Sequence, residues 1–276
     1  MTAISAASGQ AAGLQQESPA ATFGHLRLFN GLMAVLHLVQ GIAILLLSSA
    51  FTLPISTSFV TSPEGGPGEG APQFEKLLDL PLAPLIASFL FVSSASHLAL
   101  TLPRINAWYN RNLENGVNWA RWWEYSLSSS IMIVVIALFP GIYDLGSITL
   151  IFSLNVMMIF SGLLMESVNK GVVKENVNWL PFWGGSFAGI VPWVVITLFL
   201  VSPGTRSMNE VPGFVYGIFF SLFLFFNCFA INMFLQYKRA GPWRNYIFGE
   251  YGYIVLSLTA KSALAWQIFA GTLAGN

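Results

Sequence analysis

The stretch Tyr251-Gly-Tyr-Ile-Val-Leu-Ser-Leu-Thr-Ala-Lys-Ser-Ala-Leu-Ala-Trp-Gln-Ile-Phe-Ala-Gly-Thr272 decides the fold. It is long enough to cross a hydrocarbon core, which takes about 20 predominantly apolar residues. It shows no polar face of the kind a soluble helix carries, yet one charge, Lys261, stands near its middle. Six further stretches meet the same test: Leu28–Phe51, Pro81–Leu102, Trp119–Phe139, Leu145–Met165, Leu180–Ser202 and Pro212–Tyr237. The expected fold is an all-α membrane protein, a bundle of seven transmembrane helices. Only the third span, with Arg121 and Glu124, and the seventh, with Lys261, contain a charged residue.

Composition agrees. The chain is 55% apolar and 9% charged, against about 25% charged in soluble domains, so most of its surface must face lipid. A net charge of zero argues against nucleic acid, whose phosphates demand clustered cations. Cys228 is the only cysteine, which excludes an intrachain disulfide and a cysteine-built metal site. No nucleophile–base pair, metal-ligand set or cofactor motif appears, so an enzyme is not expected. Residues 1–23, rich in Ala, Ser and Gln, read as a mobile tail rather than a cleaved signal peptide, ahead of a seven-helix domain over 24–276.

Cations outside the spans set the orientation. A cytoplasmic N-terminus gives that side Arg27, Arg104, Arg111, Arg121, Lys170, Lys174, Lys238, Arg239 and Arg244, and leaves the other only Lys76 and Arg206. The N-terminus is therefore expected inside and the C-terminus outside. The long external connection, residues 52–80, joins β-prone Thr52–Val60 to turn-forming Pro63–Gly70. It predicts a small extracellular β-hairpin between helices 1 and 2, lying over the outer mouth or against a neighbouring subunit. Its glycines are not a phosphate loop, since no Gly-Lys-Ser/Thr follows.

Lys261 lies about ten residues into its helix, which at 1.5 Å per residue is about 15 Å deep. A charge there costs at least about 3 kcal/mol. A structural ion pair between helices is one account; a desolvated amine used to form a Schiff base with an aldehyde is the sharper one. Helical side chains lean toward their own N-terminus, which brings Lys261 toward the level of Glu124. Glu124 is the only acid inside the expected spans and thus the expected partner. His37 and His97, the latter beside Ser93, fall in the same half. Each suits a hydrogen-bonded core role; with Glu124 they suit a buried proton-accepting cluster. Trp183, Phe226 and Trp266 suit packing, or the two faces of a flat apolar chromophore.

A lysine at the middle of helix 7 resembles the retinal-binding lysine of microbial rhodopsins, and longer strings resemble one branch, the heliorhodopsins. These are Arg121-Trp-Trp-Glu-Tyr-Ser-Leu-Ser-Ser-Ser130, Leu180-Pro-Phe-Trp183, Val211-Pro-Gly-Phe-Val-Tyr-Gly217, Ser221-Leu-Phe-Leu-Phe-Phe-Asn227 and Tyr253 to Phe269. The resemblance covers essentially all of the chain after the tail, and the inverted topology is that family's own. It implies all-trans retinal held covalently at Lys261 as a protonated Schiff base, with Glu124 as counterion and Ser257 nearby. It implies that Ser93 and Arg121 shape the counterion network, and that His37 and His97 belong to a cytoplasmic-side polar cavity. Asn155, Met158, Trp183, Phe226 and Trp266 are implied to line or adjoin the retinal pocket. A homodimer with the external hairpin at or near the contact is implied, as is a light receptor in the cell membrane with a slow photocycle. The signalling partner is not indicated.

The same comparison speaks against pumping. Proton-pumping relatives resemble one another in a second helix-3 carboxylate eleven residues after the counterion, where this chain has Val135, and in an Asp four residues before the lysine, where it has Ser257. Beyond Lys261 the seventh span offers only Ser262, Gln267 and Thr272. A light-driven transporter or channel is the alternative, and a non-photochemical membrane protein with a structural Lys261–Glu124 pair is another.

Overall fold

The structure, a computed structural model, describes residues 19–60, 72–202 and 211–273. Among them are eight α-helices: α1 (Pro19–Leu47), α2 (Leu82–Ala99), α3 (Pro103–Glu114), α4 (Trp119–Leu138), α5 (Leu145–Val168), α6 (Leu180–Val201), α7 (Gly213–Lys238) and α8 (Tyr246–Ile268). Six of them are long and apolar enough to cross a membrane. The seventh, α4, is of spanning length but carries Arg121 and Glu124. Short α3, which the sequence reading did not anticipate, joins α2 to α4. The chain is thus a multi-pass membrane protein of seven spanning helices.

Local chemistry sets the helix ends. Asn118, Asp144 and Asn245 are N-caps whose side chains accept from the backbone N–H of Arg121, Ser147 and Ile247, donors that a first turn leaves without intrahelical partners. The Ser147 N–H holds the Asp144 carboxyl below the ordinary carboxylate range. α1 begins at Pro19, a residue suited to a first turn, so helix enters the stretch expected as tail; residues 1–18 lie outside the described residues. α5 runs to Val168 and α8 starts at Tyr246, beyond the expected limits at Met165 and Tyr251. Those extra turns carry Glu166 and Glu250 into the bundle.

Successive helices pack as neighbours, α1 on α2, α4 on α5, α5 on α6 and α7 on α8, while α2 and α4 close the middle. The main core gathers Ile86, Phe89 and Leu90 of α2, Ile133 to Leu138 of α4 and Leu264 and Ile268 of α8. Many outward-facing residues are large and apolar, as a lipid-facing surface requires: Leu46 is 79% exposed and Phe187 73%.

The expected hairpin is present. β1 (Thr52–Val60) and β2 (Pro72–Pro81) pair antiparallel, with an irregularity at Ile55/Ser56; Pro63–Gly70, expected as the turn, lie outside the described residues. Its inner side chains, Leu53 and Ile55, are buried in the main core. Ser56 N–H donates to the Tyr143 carbonyl at 2.9 Å, and Ser58 Oγ approaches Asp144 Oδ1 at 3.4 Å. The hairpin is therefore fastened to this chain's own α4–α5 turn.

Candidate functional site

Lys261 is 2% exposed and leans back along α8, as a helical side chain must. Its Nζ donates to Ser257 Oγ, one turn earlier, at 2.7 Å. It also donates to Glu124 Oε1 of α4 at 2.8 Å. Ser93 Oγ of α2 reaches the same carboxylate oxygen at 2.6 Å. The Tyr125 ring centroid lies 5.1 Å from Nζ. Three helices thus hold one ammonium–carboxylate pair in a buried interior, where a lone charge would be expensive.

Beside the amine lies a cavity of about 120 Å³, several times the 10–15 Å³ a single water needs on the same measure. Its wall is mostly apolar, with Met132, Met158, Phe226 and Phe229 among its lining alongside Tyr125, Ser257 and Lys261. A primary amino group at the edge of an aromatic-lined apolar cavity fits an apolar aldehyde. Gly162 belongs to the same wall, and a Cβ there would run into the Trp122 ring.

The structure spreads the other expected pocket residues out. Met158 and Phe226 line the cavity. Asn155 stands behind it, donating to Ser129 Oγ at 2.8 Å and Ser130 Oγ at 3.0 Å; Ser129 itself is in the wall. Trp183 is 62% exposed and reaches the cavity only through Phe182, on which it stacks edge-on at 5.3 Å. Trp266 is 37% exposed and donates to Gln40 Oε1 at 3.1 Å, away from the cavity lining. Both tryptophans occupy the outer sides of their helices, which sequence spacing alone does not reveal. Trp193, not singled out in the sequence, packs against Phe226 at 5.5 Å.

His37 and His97 are buried and stacked, centroids 5.8 Å apart and 9° from parallel. His97 Nδ1 meets Asn30 Oδ1 at 2.7 Å, whereas neither His37 nitrogen has a hydrogen-bond partner among the described residues. His97 and Glu124 share a second, polar cavity of about 20 Å³, room for a single water. The histidines therefore adjoin the carboxylate without bonding to it directly.

Arg121 departs from expectation. It pairs with Glu166 of α5 and Glu250 of α8, not with Glu124, and its guanidinium packs over the Trp122 and Tyr253 rings at 4.5 and 3.9 Å. Glu166 also accepts from Trp122 Nε1, Asn118 N–H and Tyr246 OH; Glu250 accepts from Asn118 Nδ2 at 2.6 Å. Glu124 is consequently not the only acid in the bundle. The two missed carboxylates stand one residue outside the expected spans, so a hydropathy boundary concealed them. The available signal was that Arg121, itself inside a span, needed an anion that Glu124 could not supply while facing Lys261.

A family model described as Heliorhodopsin matches residues 26–273. Among solved structures, the light-driven proton pump rhodopsin CsR of Coccomyxa subellipsoidea is similar at 14% identity and a TM-score of 0.55, over 88% of this chain and 95% of that one. The light-driven proton pump LR (Mac) of Leptosphaeria maculans is similar at 12% identity and a TM-score of 0.55, over 92% and 95%. At such identities the likeness is one of fold. No curated protein matches the chain.

Proposed function

The chain belongs to the heliorhodopsin family, and on that premise we propose that it is a retinal-binding photoreceptor of the cell membrane. The observation that carries the proposal is the contact of Lys261 Nζ with Glu124 and Ser257 at the wall of an apolar cavity. All-trans retinal, joined to Nζ as a protonated Schiff base with loss of water, would supply absorption of visible light and isomerisation. Glu124 balances the positive nitrogen, and Ser93 keeps that carboxylate aimed at it. Met132, Met158, Phe226 and Phe229 exclude water from the polyene. His97, and His37 stacked on it, stand ready on the Glu124 side to take up a displaced proton.

Storage and return of that proton, rather than transport, is the role this arrangement favours. Val135 and Ser257 stand where the pumping pattern has carboxylates, so neither position offers a proton donor to the nitrogen. The N-terminus is cytoplasmic, the C-terminus external, and the working form a homodimer. The experiment is an absorption spectrum after adding all-trans retinal, then flash spectroscopy with a pH dye on each side of a reconstituted membrane. A visible band that Lys261→Ala abolishes, with no one-sided proton signal, supports the proposal. Colour retained by Lys261→Ala overturns the retinal site, and a stoichiometric one-sided signal replaces the receptor with a transporter.

A further inference from the structure

Helix α3 has three distinct sides. At about 100° per residue, Asn106, Tyr109 and Leu113 cluster on one side and are the residues it buries. Roughly opposite them by the same spacing, Arg104 and Arg111 lie about 20° apart, and both are exposed. Between the arginines and the bundle come Trp108, 40% exposed, and Ile105, 36% exposed. Neither arginine forms an ion pair among the described residues, Glu114 included. A third cation stands at the start of the helix, because exposed Arg27 donates from Nε to the Thr101 carbonyl at 2.8 Å, just ahead of α3. At the same end of the bundle Trp119 and Trp123 of α4 are 40% and 60% exposed.

An arginine ridge flanked by an outward tryptophan and isoleucine is poorly suited to bulk water on all sides. It suits the boundary where phosphates meet acyl chains: guanidinium groups pair bidentately with phosphate oxygens, and tryptophan settles at headgroup level. We propose that α3, with Arg27, is an anionic-lipid site. Arg27, Arg104 and Arg111 hold the headgroup phosphate while Trp108 and Ile105 enter the acyl boundary. An acidic soluble protein would match the charge but not the neighbouring apolar side chains, Trp108 and Ile105.

The test places the full chain in nanodiscs of phosphatidylcholine mixed with phosphatidylglycerol, with bromine on the acyl chains of one lipid or the other. Trp108 quenching is taken as the difference between the protein and Trp108→Phe. Brominated phosphatidylglycerol should quench Trp108 well beyond its share of the lipid. Arg104→Gln and Arg111→Gln should each reduce that preference about fivefold, the equivalent of about 1 kcal/mol per cation near a surface. Lys174→Gln, in the α5–α6 connection, should leave it unchanged, and inorganic phosphate should not compete. Equal quenching by both lipids, or equal loss in Lys174→Gln, overturns the site. Absence of quenching by either lipid means that this side faces water, which also overturns it and passes the surface to a soluble partner. No chromophore absorption enters the assay, so its outcome is separate from that of the retinal proposal.

Discussion

Glu124→Gln removes the only anion in contact with Lys261 among the described residues while preserving side-chain volume and the oxygen that Ser93 donates to. At 2.8 Å and an effective dielectric of about 20, the lost attraction is about 6 kcal/mol. The desolvation of both charges offsets part of it, and breaking buried pairs of this kind costs about 3–5 kcal/mol. Removing both charges at once, as in Glu124→Gln with Lys261→Met, should recover most of that loss, since apolar replacement of a buried pair is often neutral or better. The assay is denaturant unfolding of the retinal-free protein in mixed micelles, followed by circular dichroism, for the two single variants and the double. In protein loaded with retinal, Glu124→Gln should also move the visible band to the red or bleach it toward the near ultraviolet. A destabilisation below about 1 kcal/mol, or a double variant no better than Glu124→Gln alone, would refute the account of this pair.

Three further outcomes are expected. Arg121→Gln leaves Glu166 and Glu250 side by side without their cation and should destabilise the apoprotein by about 3–5 kcal/mol; Glu250→Gln should cost less, because Glu166 keeps its partner, and the same unfolding assay ranks them. Asp144→Ala removes the cap of α5 and should cost about 1 kcal/mol. Because the folded Asp144 carboxyl sits below its ordinary value, the charged cap contributes fully above that ordinary value and its contribution is lost as pH falls through the depressed one; unfolding curves across acidic pH should show this loss in the parent protein and not in Asp144→Ala. Tags placed at the two ends should be reached by protease from opposite faces in intact cells, with the N-terminal tag protected, and cleavage of that tag from outside would contradict the inverted orientation.

Much of this protein was decided by local sequence. The spans were legible because an uninterrupted apolar run has one stable arrangement in lipid, a helix that satisfies its own backbone. The hairpin was legible because β-prone Thr52–Val60 is followed by a glycine- and proline-rich sequence, Pro63–Gly70. Lys261 and Glu124 stood out because charge is costly at membrane depth, and helix geometry leaned one toward the other. The exact partners were another matter. Hydropathy loses its resolution at the interface, where aromatic and asparagine side chains blur the ends of α5 and α8, so Glu166 and Glu250 went unseen and Arg121 was assigned to the counterion network without them. Which side of α6 Trp183 occupies, and of α8 Trp266, depends on how each helix is rotated against its neighbours. In a chain this apolar all round, periodicity carries little of that information. Only the packing of seven helices against one another decided which rings enclose the cavity and which face the lipid.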